Sequence, residues 1–332
     1  MAAKTCDVVG IGNAIVDIIA RCDDGFLTKH SLDKGFMRLI DAGEAAELYE
    51  AMGPATERSG GSVANSIAGL ASFGADCGFI GRVAADQFGG IFRHDIRSLN
   101  IAYTTEPATD GTPTARCLVL VTPDGERTMN TFLGASVDFA PGDIDRDLIR
   151  SAKIVYLEGY LFDKDPAKRA FREAAKLART AGAKVALSLS DPFCVDRHRD
   201  DFRALVKEGT DIVFANEKEI TALYEVNSFV EAADAALQDC EMAVLTRSEA
   251  GSMIVSAGET IEIPAEPVSR VVDATGAGDL YASGFLFGLT KGLSPEVCGR
   301  LGSFAASEAI SHIGARPETN LLKLAQARGL LV

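Results

Sequence analysis

DATGAGDLYASGF (273–285) sets two aspartates around a run of small residues, and an apolar helical pattern follows. Gly276, Ala277 and Gly278 leave backbone N–H groups uncovered by side chains. If a helix begins near Gly278, those groups point out of its N-terminus and, with the helix dipole, make an anion site. Asp279 beside such a site would repel a phosphate unless it has a chemical task. That task would be to take the proton of a hydroxyl attacking phosphorus, while the turn holds the charge of the transferring group. The same residues also suit a plain helix start, with Asp279 as a cap and the glycines easing packing. The turn lacks the GK[ST] of a Walker A loop, and neither GGSVAN nor GIGNAIVD has GxGxxG spacing.

Outward from this turn, β-rich runs alternate with helical patterns along the 332 residues. Strands are expected at 7–11, 77–81, 153–157, 184–189, 211–214 and 242–246. Helices are expected at 63–73, 89–99, 166–181, 199–207, 218–223 and 229–238. This alternation predicts βαβ units, so an α/β fold with a mainly parallel sheet covered by helices. Two segments break the rhythm: 34–40 reads as a strand, and 114–131 as a hairpin around Pro-Asp-Gly. Together they predict a small antiparallel sheet, either a lid or an edge extension of the main sheet. No linker or repeat divides the chain, which predicts one domain over 1–332.

Composition narrows the function. A formal net charge of −14 disfavours nucleic-acid binding, and an anionic substrate would need a local positive site. The seven cysteines are scattered with no CxxC pair. That predicts neither disulfides nor a zinc site, and fits a reducing cytoplasm. No signal-peptide pattern or membrane-length apolar run is expected. The four histidines form no recognisable set.

Four further stretches carry polar groups with two readings each. In SGGSVANSIAGLASFG (59–74), Gly60 and Gly61 expose backbone and Asn65 follows one turn into a helix, which suits sugar hydroxyls or a simple turn. Asp17, between apolar neighbours, would be satisfied by a vicinal diol or by backbone N–H groups. Asn216 and Glu219 follow an apolar strand, where α/β sheets bind ligands, and suit water-mediated Mg²⁺ or a solvated helix face. LTRSEAGS (245–252), with Arg247, suits a cover for nucleotide phosphates or a surface turn, and Arg127 suits a lid closing over phosphates or plain exposure.

These segments together resemble the PfkB, or ribokinase-like, kinase family over nearly the whole chain. SGGSVANSIAGLASFG resembles its N-terminal glycine signature, DATGAGDLYASGF its C-terminal signature and NEKE (216–219) its NxxE motif. GNAIVDI, FLTKHSLDKG, YLEGYLF, LSLSDPF and VFANEKE look most like adenosine kinases within that family. The resemblance implies a ribokinase-like α/β body with helices on both faces of the sheet and a β lid formed by about 12–20, 34–41 and 112–134. It implies ATP, Mg²⁺ and phosphorylation of a nucleoside 5′-hydroxyl, adenosine to AMP, with a PfkB-type sugar kinase for ribose or fructose as the alternative. Asp279 would be the base, with Gly276, Ala277 and Gly278 as the anion hole. Asn13, Asp17, Gly60, Gly61 and Asn65 would bind the ribose, and Phe132 and Phe162, with Phe36 and Leu161, would either pack the base or serve as lid core. Asn216 and Glu219 would organise Mg²⁺, while Thr246, Arg247, Gly251 and Arg127 would approach ATP. Some relatives hold potassium or another monovalent cation near the positions of Asp273 and Thr275.

The chain departs from the family pattern at Ala274, where threonine is usual, and at Met37, where some adenosine kinases carry glutamine. A non-catalytic binding protein and a hydrolase remain as readings from other classes. The implied partner is a small nucleoside or sugar, with no nucleic acid and no membrane. A monomer, or a homodimer through the lid face of Ala115, Cys117, Val119 and Val121, is expected.

Overall fold

The strand–helix alternation is present in the computed structural model, which describes residues 4–331. Its strands are β1 (Cys6–Ile11), β2 (Ile15–Arg21), β3 (Met37–Leu39), β4 (Ala55–Gly60), β5 (Cys77–Ile80), β6 (Ala115–Val121), β7 (Arg127–Phe132), β8 (Ala152–Glu158), β9 (Lys184–Ser188), β10 (Ile212–Asn216), β11 (Met242–Thr246), β12 (Ser252–Ser256) and β13 (Glu259–Ile263). Eight of them form the main sheet in the order β13-β12-β11-β10-β9-β8-β1-β5. Pairing is parallel from β11 to β5. β12 and β13 add an antiparallel edge.

Period-two alternation explains the two layers of helices. Val8, Tyr156, Phe214 and Val244 fall in one buried cluster, and Val9, Val155, Val213 and Leu245 in another. Both faces are apolar, so both must be covered. Helices Ser62–Ser72, Ala277–Thr290 and Pro295–Ala309 pack into the first cluster. Helices Asp165–Thr180, Pro192–Gly209, Glu217–Tyr224 and Phe229–Asp239 pack into the second. Ala277–Thr290 is apolar nearly all round, and residues 280–288 are buried.

The second sheet differs from the small antiparallel sheet expected. It has five strands in the order β3-β7-β6-β2-β4 and is mixed. The hairpin β6–β7 and the pair β2–β4 are antiparallel, whereas β2–β6 and β3–β7 are parallel. β4 escaped the sequence reading because ATERSG is polar and ends in glycine; its charges belong on an edge strand. Along β2, Val16 and Ile18 are fully buried against helices, while Ile15, Asp17 and Ile19 line a cleft. A one-residue slip would exchange these sets and bury Asp17 in the core.

The helix expected at 199–207 starts earlier, at Pro192. Asp191 Oδ1 accepts the Phe193 N–H at 2.7 Å, and the helix bends at His198. No helix among the described residues is long and apolar enough to cross a membrane.

Candidate active site

A cleft of about 850 Å³ lies between the lid sheet and the C-terminal ends of the main strands. Glu158, Ser188, Asn216 and Thr246 end successive parallel strands at its floor. Ile15, Ile19, Val119 and Met129 form its apolar roof. This is where open α/β sheets place ligands, because loops diverge there.

Asp279 sits in the first turn of the Ala277–Thr290 helix but does not cap it. Its Oδ1 accepts Ser62 Oγ–H at 2.6 Å and its Oδ2 accepts Asn65 Nδ2–H at 3.1 Å. Gly276 precedes the helix at φ +79°, and a Cβ there would lie 2.6 Å from Ala315 Cβ, so only glycine fits. The first i→i−4 bond of the helix runs from Leu280 N to Gly276 O. The N–H groups of Gly278 and Asp279 accordingly remain open toward the cleft. Burial pushes the Asp279 carboxyl up to about 6; Ser62 and Asn65 oppose that rise and the Asp17 charge adds to it.

Asp17 crosses the cleft from the lid. It accepts no hydrogen bond among the described residues, so the backbone-satisfied alternative does not apply. Burial pushes it up to about 6, against the pull of Arg316 and Arg127. Gly60 and Gly61 make room for it. A Cβ on Gly60 would lie 2.3 Å from Asp17 Oδ2, and one on Gly61 would lie 2.2 Å from Asn13 O. Asn13 lines the cleft while its N–H and Nδ2 both donate to Glu158 Oε1, at 3.2 and 2.7 Å. Glu158 Oε2 accepts Val63 N–H at 2.9 Å, tying β8 to the start of the Ser62–Ser72 helix. Burial pushes Glu158 up to about 7.

At the other end of the cleft, Asn216 and Glu219 form a capping box. Asn216 Oδ1 accepts Glu219 N–H at 2.9 Å, and Glu219 accepts Asn216 N–H at 2.9 Å and Nδ2–H at 2.6 Å. Burial pushes Glu219 up to about 7, with Asp191 adding to the rise. Both residues still line the cleft, as does Thr246. Arg247 and Gly251 do not: the Arg247 guanidinium lies 4.9 Å from the Phe229 ring centre, and Gly251 turns the chain beneath Ile263.

Arg127 Nη1 pairs with Asp273 Oδ2 and donates to Thr275 Oγ1 at 2.9 Å. The oxygens expected to surround a monovalent cation are therefore already partnered by a guanidinium, and the set does not fit such an ion.

Two aromatic expectations are corrected. Phe162 is fully buried against Phe171 and Phe202 in the second core cluster. Phe132 packs against Arg116 and the first cluster. Leu161 is core as well, and Phe36 is exposed outside the cleft. Met37 does line the cleft. Ser62, Glu158, Arg58 and Arg316 were not anticipated. Glu158 had a signal, as a lone acid ending an apolar strand; Arg316 had none, because it belongs to an irregular loop. With Arg127, these arginines supply the local positive charge that an acidic chain needs to hold an anion.

Comparison with known proteins agrees with this geometry. Residues 37–320 match the model for the pfkB family carbohydrate kinases. The crystal structure of adenosine kinase from Sinorhizobium meliloti is 50% identical, with a TM-score of 0.90 over 98% of this chain and 100% of that one. A probable sugar kinase from Rhizobium etli is 47% identical, with a TM-score of 0.91 over 99% and 100%. The adenosine kinase of Saccharomyces cerevisiae is 28% identical across 93% of this chain and 96% of its own. The fold is accordingly the ribokinase-like α/β fold, with its mixed eight-stranded sheet and smaller second sheet.

Proposed function

The chain belongs to the pfkB family of carbohydrate kinases, and from that premise we propose that it moves the γ-phosphoryl group of ATP to the 5′-hydroxyl of a nucleoside, adenosine first. The observation that carries this reading is the Asp279 carboxylate, held by Ser62 and Asn65 beside open backbone N–H groups and across the cleft from Asp17.

Each group has a chemical part. With its carboxyl near 6, Asp279 is mostly ionised at neutral pH and able to accept the hydroxyl proton. The Gly276–Gly278 turn offers N–H donors to the charge on the transferring group. Asp17, with no protein partner, takes the ribose diol, and Asn65 keeps one N–H and one lone pair free to join it. The apolar roof of Ile15, Ile19, Val119 and Met129 covers the base and excludes water. Arg127 brings positive charge to the phosphate side.

Oxygen donors at Glu219, Asn216 and Asp191 suit magnesium held through water, since the Glu219 oxygens already accept from Asn216. When bound, the ion would neutralise phosphate charge; the chain's own part is to hold its water shell. The seven free cysteines suit a reducing cytoplasm.

A sugar kinase is the second reading. It is favoured by Phe132 and Phe162 turning away, which leaves the lid roof without an aromatic ring for a base to stack on. The test is ADP release from ATP and Mg²⁺ with adenosine, inosine, guanosine, ribose and fructose. Turnover with adenosine well above the free sugars supports the proposal, and turnover with a free sugar alone replaces it with the second reading.

A further inference from the structure

Arg316 reaches the site from the loop after the Pro295–Ala309 helix. Its Nε donates to Asn65 Oδ1 at 3.2 Å, and its Nη1 donates to Ser59 Oγ at 2.5 Å and lies 3.5 Å from Asp95 Oδ2. Its Nη2 is buried with no partner. Asn65 in turn donates from Nδ2 to Asp279 Oδ2 at 3.1 Å. One amide thus bridges a guanidinium and a carboxylate.

That bridge has a direction. A carboxamide is nearly symmetric in shape but not in charge. Arg316 can only donate, and ionised Asp279 can only accept. The flipped amide would set N–H against guanidinium N–H and oxygen against carboxylate, which is repulsive at both ends. We propose that Arg316 is a positioning residue of the phosphoryl transfer, locking the Asn65 amide so that its N–H faces Asp279. This rests on the kinase reading, in which Asp279 is the base.

The charges around Asp279 make the route specific. The Ser62–Ser72 helix contributes the hydroxyl of Ser62 and the amide of Asn65. Asp17 on β2 adds its charge to the rise of Asp279, whose own charge bears on Tyr156 and Glu158 of β8 and on Tyr160 just after that strand. Arg127 and Arg316 bear on Asp17. No lysine or arginine bonds Asp279 directly among the described residues, so Arg316 acts on it by hydrogen bonding only through Asn65.

The experiment follows the Asp279 carboxyl carbon by ¹³C NMR across pH in the unliganded protein, assigned with Asp279→Asn. In Arg316→Gln, where Asn65 is free to turn, the Asp279 midpoint rises by about one pH unit, the size of one charge-assisted hydrogen bond. The acid limb of kcat/KM moves up with it. Arg316→Lys, which keeps a cationic donor, restores most of the shift. Adding Arg316→Gln to Asn65→Ala moves the midpoint no further, because the route is already cut. If Arg316→Gln does not fold, Arg316→Met, which also removes the donor to Asn65 Oδ1, carries the same comparison with and without Asn65→Ala. An unmoved midpoint in folded Arg316→Gln, or equal shifts with and without Asn65, overturns the proposal. The expected NMR shifts without turnover on any acceptor overturn the kinase reading and leave the Arg316–Asn65–Asp279 coupling in place.

Discussion

Arg127 on the lid, which lines the cleft, forms an ion pair with Asp273 on the body. Asp273 also accepts the N–H groups of Thr275 at 3.0 Å and Gly314 at 2.9 Å. Burial alone would raise this carboxyl; the bonds from Gly314 and Thr275 and the Arg127 charge outweigh it and hold the group below its usual range. The pair joins the lid hairpin to the turn that carries Asp279, so lid position and anion hole are linked through two side chains.

Breaking that pair by Arg127→Gln leaves a buried carboxylate short of its cation. Both side chains are largely buried, at 12% and 5% exposure, so the stability loss should be about 3 kcal/mol. kcat should fall about tenfold or more as the charge near the phosphates is lost. Urea unfolding and steady-state kinetics check both; a stability loss under about 1 kcal/mol would mean the pair behaves as a solvated one.

Activity should fall in acid. Asp279 and Asp17 are each raised to about 6, and both must be ionised to take a proton and to bind a diol. The logarithm of kcat/KM should drop below about pH 6 with a slope between one and two, the two midpoints belonging to the pair. A profile that stays flat to pH 5 would contradict this assignment.

Stability should run the opposite way over part of the same range. Asp17, Asp279, Glu158 and Glu219 are raised in the fold to about 6, 6, 7 and 7. Each binds its proton more tightly when folded, so its stabilising contribution is full below its unfolded value near 4 and is lost as pH rises through 6 to 7. The unliganded protein should therefore melt higher at pH 5.5 than at pH 7.5. A Tm that falls steadily on acidification across this window would show that these groups are solvated.

Gly60→Ala should separate binding from folding. The new Cβ would press on Asp17 Oδ2 at 2.3 Å and turn the carboxylate, raising the acceptor KM about tenfold or more with a smaller change in kcat. Gly61→Ala is harsher, since φ is +101° and the Cβ would meet the Asn13 carbonyl at 2.2 Å. It should lose both stability and activity. Initial-rate kinetics and thermal melts distinguish the two variants.

Much of this arrangement was legible in the sequence where one residue or one period decides it. The alternating apolar runs of β1, β8, β10 and β11 announced a buried parallel sheet, and Pro-Asp-Gly announced the lid hairpin. The glycine turn before Asp279 was legible because its need for bare backbone is local. β4 was not, since a polar edge strand has no apolar signature of its own. Phe132 and Phe162 misled because an aromatic on a lid or a loop reads the same whether it faces ligand or core. Arg247 misled because the aromatic face it covers, Phe229, lies on another element. Arg316 was invisible for the same kind of reason: its partners Ser59, Asn65 and Asp95 are more than two hundred residues away in the chain.

The most direct measurement is a single-turnover reaction of γ-labelled ATP with adenosine and Mg²⁺, comparing the native chain with Asp279→Asn. The account predicts labelled AMP from the native protein and a rate at least about a hundredfold lower in the variant, with an unchanged fold by circular dichroism. AMP formed at near-native rate by Asp279→Asn, or label appearing only as inorganic phosphate, would contradict it.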